Sequence, residues 1–266
     1  MINGRLLVIA GSDSSGGAGI QADLKTAQAF SVYAQTAITA VTVQNTRGVT
    51  GVHMVPVEIV RQQILACLSD IGADAIKTGM LGSAEMVEMV ATTLAEQAPG
   101  IPLVVDPVMV AKGGSPLLDE AAVVMLKKRL LPLASVITPN LPETEALTGL
   151  YPQSEHRLRN AAMVFKMIGV EHVLFKGGHA SLDAAEGGIV RDMLWSAGQF
   201  TAFEAPRQDT RHTHGTGCTL ATAIACGLAQ KLSLDDAVTR AHAYVQNAIR
   251  TAPGLGQGHG PLNHGI

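Results

Sequence analysis

The chain has 266 residues, 47% hydrophobic and 15% charged, which is enough apolar material for a large core and excludes a disordered segment. A formal net charge of −3 with no long basic run excludes nucleic acid and anionic membrane as main partners. Cys67, Cys218 and Cys226 are too few for a disulfide framework and form no Cys-x-x-Cys pair; no apolar run nears the ~18 residues of a membrane span, and that at 6–10 is too short for a signal-peptide core, so the cytoplasm is the expected location.

Aromatic residues make up only 3% of the chain, so the core must be aliphatic, as in a parallel sheet covered by helices. In chain order, residues 6–10 read as a strand, 11–19 as a loop and 20–30 as a helix. A strand at 37–43 and a helix at 56–70 follow, then a strand at 75–78, a helix at 84–96 and a strand at 102–106. A helix at 119–131, a buried strand at 136–138 and a short helix at 142–147 come next, then a helix at 155–168 and a strand at 172–175. This alternation is the signature of βαβ units. The pattern then changes. Residues 190–196 and 199–205 flank Ala197-Gly198 as an edge hairpin, and two long helices follow at 217–230 and 234–252. The Gly- and His-rich tail at 253–266 should lack regular structure. Nothing breaks the composition, so residues 1–266 form one α/β domain, a mostly parallel sheet with helices on both faces and no separate lid.

Ligands of open parallel sheets bind beyond the carboxyl ends of the strands. Those ends carry Gly11-Ser12-Asp13, Gln44-Asn45, Lys77-Thr78-Gly79-Met80, Asp106-Pro107-Val108, Thr138-Pro139-Asn140 and Lys176-Gly177-Gly178-His179. The strongest constellation is His214-Gly215-Thr216-Gly217-Cys218-Thr219 ahead of an apolar helix. Its glycines admit close backbone approach, and the free N–H groups of a first helical turn suit a phosphoryl group. Cys218 at that terminus should have a lowered pKa; the plain alternative is a glycine N-cap before a core cysteine. The loop Gly16-Gly17-Ala18-Gly19 leads into Ile20-Gln21-Ala22-Asp23 but fits neither a Walker A loop nor G-x-G-x-x-G. It reads as cover for a small substrate, with Asp23 as an acceptor or as a surface charge. Asn140-Leu141-Pro142-Glu143 could cap a helix, hold water-coordinated Mg²⁺, or do both. Lys176 could neutralise phosphate charge, and Asp106 could assist a metal.

Taken together and in this order, these segments resemble the ribokinase-like superfamily, specifically the hydroxymethylpyrimidine/phosphomethylpyrimidine kinases. Gln44-Asn45-Thr46-Arg47-Gly48-Val49, Lys77-Thr78-Gly79-Met80-Leu81, Asp106-Pro107-Val108-Met109 and Thr138-Pro139-Asn140-Leu141-Pro142-Glu143 add to the Gly-rich and His-Gly-Thr-Gly-Cys segments in carrying the resemblance. It implies ATP and Mg²⁺ as cofactors, a small pyrimidine as substrate and a homodimer. By the same resemblance Gly215, Thr216 and Gly217 form the anion hole, Cys218 is the base and Lys176 serves the transfer. Gln44, Asp23, Gly11, Met80 and Val108 take the ring. Asn140, Lys176, Gly178 and Thr213 take the nucleotide, and Asp106 and Glu143 the metal. One departure is Arg211-His212, where an asparagine is expected before Thr213-His214. A pyridoxal kinase or a bifunctional enzyme is the nearest alternative. A sugar kinase, a ligand sensor, and a cysteine hydrolase with His214 against Cys218 are weaker ones.

Overall fold

The computed structural model describes residues 2–110, 118–177 and 188–266. Among the described residues, nine strands form one sheet in the order β3-β2-β1-β4-β5-β6-β7-β8-β9. The six inner strands are β2 (Tyr33–Asn45), β1 (Arg5–Asp13), β4 (Ala75–Thr78), β5 (Leu103–Val105), β6 (Val136–Ile137) and β7 (Val173–Phe175), all parallel. The antiparallel edges are β3 (Gly48–Met54) and the hairpin of β8 (Ile189–Ser196) with β9 (Gln199–Pro206). The hairpin matches the sequence expectation. Ala197 and Gly198 both have positive φ, as the tight turn between right-twisted strands requires.

Side chains alternate across the sheet and divide the core. Leu7, Ile9, Ile76, Val105 and Ile137 pack under α2 (Val57–Asp70), α3 (Ala84–Gln97), α4 (Glu120–Met125), α5 (Leu141–Thr148) and α6 (Glu155–Met167). Leu6, Val8, Ala10, Ala75, Val104 and Val136 pack under α1 (Gly19–Ala29), α7 (Thr216–Ala229) and α8 (Leu234–Arg250). Helix α7 is apolar nearly all round because it lies between the sheet and α8.

Three expectations are corrected. Residues 48–54 form a strand that the sequence hides, because Gly48 and Gly51 break any apolar alternation. Strand β1 runs on through Asp13 instead of ending at Ala10; a bulge between Ala10 and Ser12 carries Gly11 and aims the next residues at the cleft. The helix expected over 119–131 changes after Met125 to a π turn, Leu126–Leu130, and a 3₁₀ turn, Leu131–Leu133, which contains Pro132. The tail is irregular as expected, yet it is pinned in place. Gly258 and His259 donate backbone N–H groups to Thr46, Gly260 accepts from His214 N–H, and Asn263 donates to Ala248.

Candidate active site

β1 has β2 on one side and β4 on the other, so the strand order reverses there and a crevice opens at its carboxyl end. A cleft of about 830 Å³ occupies it. All but two of the expected site residues line this cleft, which joins residues from six strand ends and the start of α7. The exceptions are Asp23, and Gly178, which lies outside the described residues.

Gly11 stands so close to Met80 that an added Cβ would lie 3.3 Å from its Sδ. Val108 lines the same cavity. Gln44 reaches in from the end of β2, with its backbone held by Ser14 Oγ, which donates to Gln44 O at 2.8 Å and accepts from Gln44 N at 2.9 Å. Beside it, the buried His214 has Nε2 2.7 Å from Asp13 Oδ2. Asp13 also accepts from Ser15 N–H and Oγ and from Ala18 N–H. Burial works against its charge, but the hydrogen bonds from His214 and Ser15 outweigh that and lower its pKa. His214 is therefore engaged with Asp13, and among the described residues no contact aligns it with Cys218; the hydrolase alternative loses its base.

The start of α7 needs Gly215 at its N-cap, where φ is +84° and an added Cβ would strike the carbonyl of Gly17. Thr216 Oγ1 donates to Thr213 O at 2.8 Å and tightens the turn. Gly217 leaves a cradle into which a Cβ could not fit freely: it would lie 3.2 Å from Lys176 Nζ and 3.6 Å from Asp106 Oδ2. Lys176 Nζ pairs with Asp106 Oδ1 at 2.8 Å and lies 3.7 Å from Glu143 Oε2. Burial opposes its charge, but Asp106 and Glu143 outweigh this and raise its pKa.

Asn140 and Glu143 form a reciprocal capping box: Asn140 Oδ1 accepts from Glu143 N–H and Glu143 Oε2 from Asn140 N–H, both at 2.8 Å. Capping is thus a real role of the pair, and Glu143 also faces the cleft. Burial, with Asp106 nearby, pushes the Glu143 carboxyl up to about 7 against the pull of Lys176.

Two expectations fail here. Asp23 does not line the cleft. It is fully buried beneath α7, where Lys77 Nζ donates to both of its oxygens at 3.0 and 2.9 Å and Thr222 Oγ1 donates at 2.6 Å. The reason is Lys77, whose ammonium points from the buried four-residue β4 into the face under α1 and α7 and requires a counter-charge. Nor is Cys218 an acidic thiol. Burial pushes it up to about 11; Lys77 and the Gly19 N–H oppose that, but nearby Asp23 and Asp106 add to it.

Sequence reasoning placed Lys77 and Asp13 at strand ends without giving them roles, did not pair His214 with Asp13, and missed His242. A lysine inside a strand of four was the available signal for Lys77. His242 on α8 lines the far part of the cleft with Val190, Val245 and Ile249, and its buried Nε2 has no hydrogen-bond partner among the described residues; Asp192 Oδ2 is 3.9 Å away. No sequence signal marks it.

A family model described as phosphomethylpyrimidine kinase matches residues 13–263. The chain is 50% identical over 98% of its length to the thiamine biosynthesis bifunctional protein of Geobacter sulfurreducens, of which it spans about half, 52%. It is also 50% identical over 98% of its length to the hydroxymethylpyrimidine/phosphomethylpyrimidine kinase of Streptomyces coelicolor, covering 94% of that protein. Among solved structures, the pyridoxal kinase of Staphylococcus aureus in complex with AMP-PCP and pyridoxal superposes with a TM-score of 0.88 at 35% identity, over 98% of this chain and 93% of that one.

Proposed function

The chain belongs to the phosphomethylpyrimidine kinase family, and from that premise we propose that it moves the γ-phosphoryl group of ATP to 4-amino-5-hydroxymethyl-2-methylpyrimidine and then to the monophosphate formed, for thiamine biosynthesis. The observation that carries this reading is a single cleft lined both by Gln44, Met80, Val108 and Gly11, which suit a small ring, and by the glycine-bearing start of α7 with Lys176, which suits a phosphoryl group.

ATP and Mg²⁺ fit the residues present. The His242 Nε2, without a hydrogen-bond partner among the described residues, in a cleft also lined by Val190, Val245 and Ile249, suits a flat heterocycle with one polar edge. The Gly217 cradle beside Lys176 suits phosphate. Asn140 and Thr213 border the same path. Among the described residues no cluster of three metal-ligating side chains exists, so Mg²⁺ would be held by Glu143 and Asp106 through water and by phosphate oxygens. Bound there, it would neutralise charge on the transferring group.

In the transfer, the substrate hydroxyl oxygen forms the new bond to the γ-phosphorus while the bond to the bridging oxygen breaks and ADP leaves. Lys176 and the N–H groups of Gly217 and Cys218 stabilise charge on the phosphoryl oxygens. Cys218, as a thiolate, takes the hydroxyl proton, and in a loose transition state that proton moves late. The Lys77 ammonium and the Gly19 N–H stabilise this thiolate. The second acceptor, a phosphate oxygen, needs less help from a base.

The likeness to a pyridoxal kinase supports a second reading, phosphorylation of pyridoxal by the same site. A coupled ADP-release assay with hydroxymethylpyrimidine, its monophosphate and pyridoxal tests both: the pyrimidines should give the higher kcat/KM, and a wide margin for pyridoxal would overturn the assignment. We assign a homodimer through one face of the β2–β3 pair, where Val41 and Val43 stand exposed side by side. The three free cysteines and the use of ATP support work in the cytoplasm.

A further inference from the structure

The ends of the Gln44 carboxamide lie against two groups whose protons can be counted. Gln44 Nε2 is 3.4 Å from His214 Nε2, and Gln44 Oε1 is 3.1 Å from Thr42 Oγ1. Asp13, which accepts from Ser15 and Ala18, is a carboxylate with no proton to offer. The 2.7 Å contact between Asp13 Oδ2 and His214 Nε2 therefore places a hydrogen on Nε2, whether the ring is neutral or cationic. An N–H of Gln44 facing that nitrogen meets a donor. On the other side, Thr42 Oγ1 lies 3.0 Å from Ser12 O, a carbonyl that can only accept. The single hydroxyl proton goes there, and toward Gln44 the Thr42 oxygen offers lone pairs. Both counts require the amide to be turned over. Amide orientation is decided by such a network, since nitrogen and oxygen occupy equivalent positions.

We propose that Asp13 and His214 are a positioning pair that holds the Gln44 carboxamide with Oε1 on the His214 side and its amino end on the Thr42 side. The proposal deepens the functional reading above and rests on it for the choice of ring. The order of the polar edge then follows. Oε1 next to the residue that enters α7 accepts from the exocyclic amine, and the amino end donates to the ring nitrogen beyond it. In the aminopyrimidine the amine neighbours the carbon bearing the hydroxymethyl group, so this order turns the hydroxyl toward Cys218. Pyridoxal carries a carbonyl oxygen beside its hydroxymethyl group, an acceptor that Oε1 repels. The pair thus selects a donor next to the reacting arm, without touching the reacting atoms.

The test has two arms. Long-range ¹H–¹⁵N spectra of the imidazoles in the full-length protein, with His214 assigned by His214→Gln, read the tautomer directly and do not depend on any substrate. A proton on Nε2 is expected; a bare Nε2 with the proton on Nδ1 overturns the proposal. In the second arm, His214→Phe keeps the ring volume and loses the donor. Its kcat/KM for hydroxymethylpyrimidine relative to pyridoxal should fall at least tenfold, carried by KM, with the KM for ATP unchanged. His214→Gln, which can still donate to Asp13, should recover part of the ratio. An unchanged ratio in a folded His214→Phe protein, or a loss confined to kcat, overturns it. If the wild type phosphorylates neither ring, the functional reading falls while the spectra still decide the tautomer.

Discussion

Cys218 and Glu143 show how a side chain's chemistry departs from its ordinary value once its surroundings are assembled. The helix start lowers a thiol's pKa by offering N–H groups and a dipole. Here burial among carboxylates outweighs that and takes Cys218 up to about 11. If its thiolate is the base, kcat should rise with pH across the neutral and alkaline range, and Cys218→Ala should flatten that rise and cut kcat by roughly 10²–10⁴. Cys218→Asp should retain more turnover than the Ala variant, because a carboxylate there can accept the proton. Near-wild-type kcat for Cys218→Ala leaves transfer to the anion hole and Lys176. Glu143 titrates with the opposite consequence for stability. Its carboxyl binds a proton more tightly folded, at about 7, than at its ordinary 4.5, so its stabilising contribution is present at low pH and is lost as pH rises through about 7. In EDTA the wild-type Tm should fall across that window, and Glu143→Gln, which keeps an acceptor for the Asn140 N–H, should remove most of the slope. The same variant should need more Mg²⁺ for half-maximal rate; equal Mg²⁺ titrations would confine Glu143 to capping.

Three elements are tied together by one buried ion pair. Asp23 on α1, Lys77 on β4 and Thr222 on α7 meet beneath α7, with both charged side chains fully buried. Removing one partner of such a pair strands the other charge, at a cost of about 3–5 kcal/mol. Asp23→Ala should therefore lower Tm sharply, and its loss of activity should track loss of folded protein. Double replacement with apolar residues, Asp23→Leu with Lys77→Met, should recover much of the stability. A stable Asp23→Ala protein with only a raised KM for the pyrimidine would return Asp23 to the ring pocket.

Across the whole molecule, the sheet order decides both the site and the surface left over. The crevice lies where the chain turns from β2 to β4 around β1, while one face of the β2–β3 pair carries Val41 and Val43 at 48% and 64% exposure. An exposed apolar sheet face of this kind is normally covered. A protein with Val43→Lys should sediment as a monomer while the parent sediments as a dimer. An unchanged sedimentation coefficient between the two would place the interface elsewhere.

The alternation of strands and helices and the edge hairpin could be read from sequence because they depend on local rules, and the strand-end motifs named part of the cleft, though not Val190, His242, Val245 or Ile249. Strand-length apolar runs end in Gly, Pro and polar residues, Asn140-Leu141-Pro142-Glu143 caps a helix whatever surrounds it, and the motifs keep their order along the chain. What only the tertiary structure decided were the roles that depend on which groups face each other across long separations. Asp23 reads as a surface or substrate-binding carboxylate until Lys77, 54 residues away, is seen to need it. His214 reads as a companion of Cys218 until Asp13, 201 residues away, is found 2.7 Å from its Nε2. Cys218 reads as an acidic thiol until burial and neighbouring carboxylates are counted. Helix caps and strand ends act within a few residues of the chain, whereas desolvation and charge pairing act through space, and only the folded chain sets those distances.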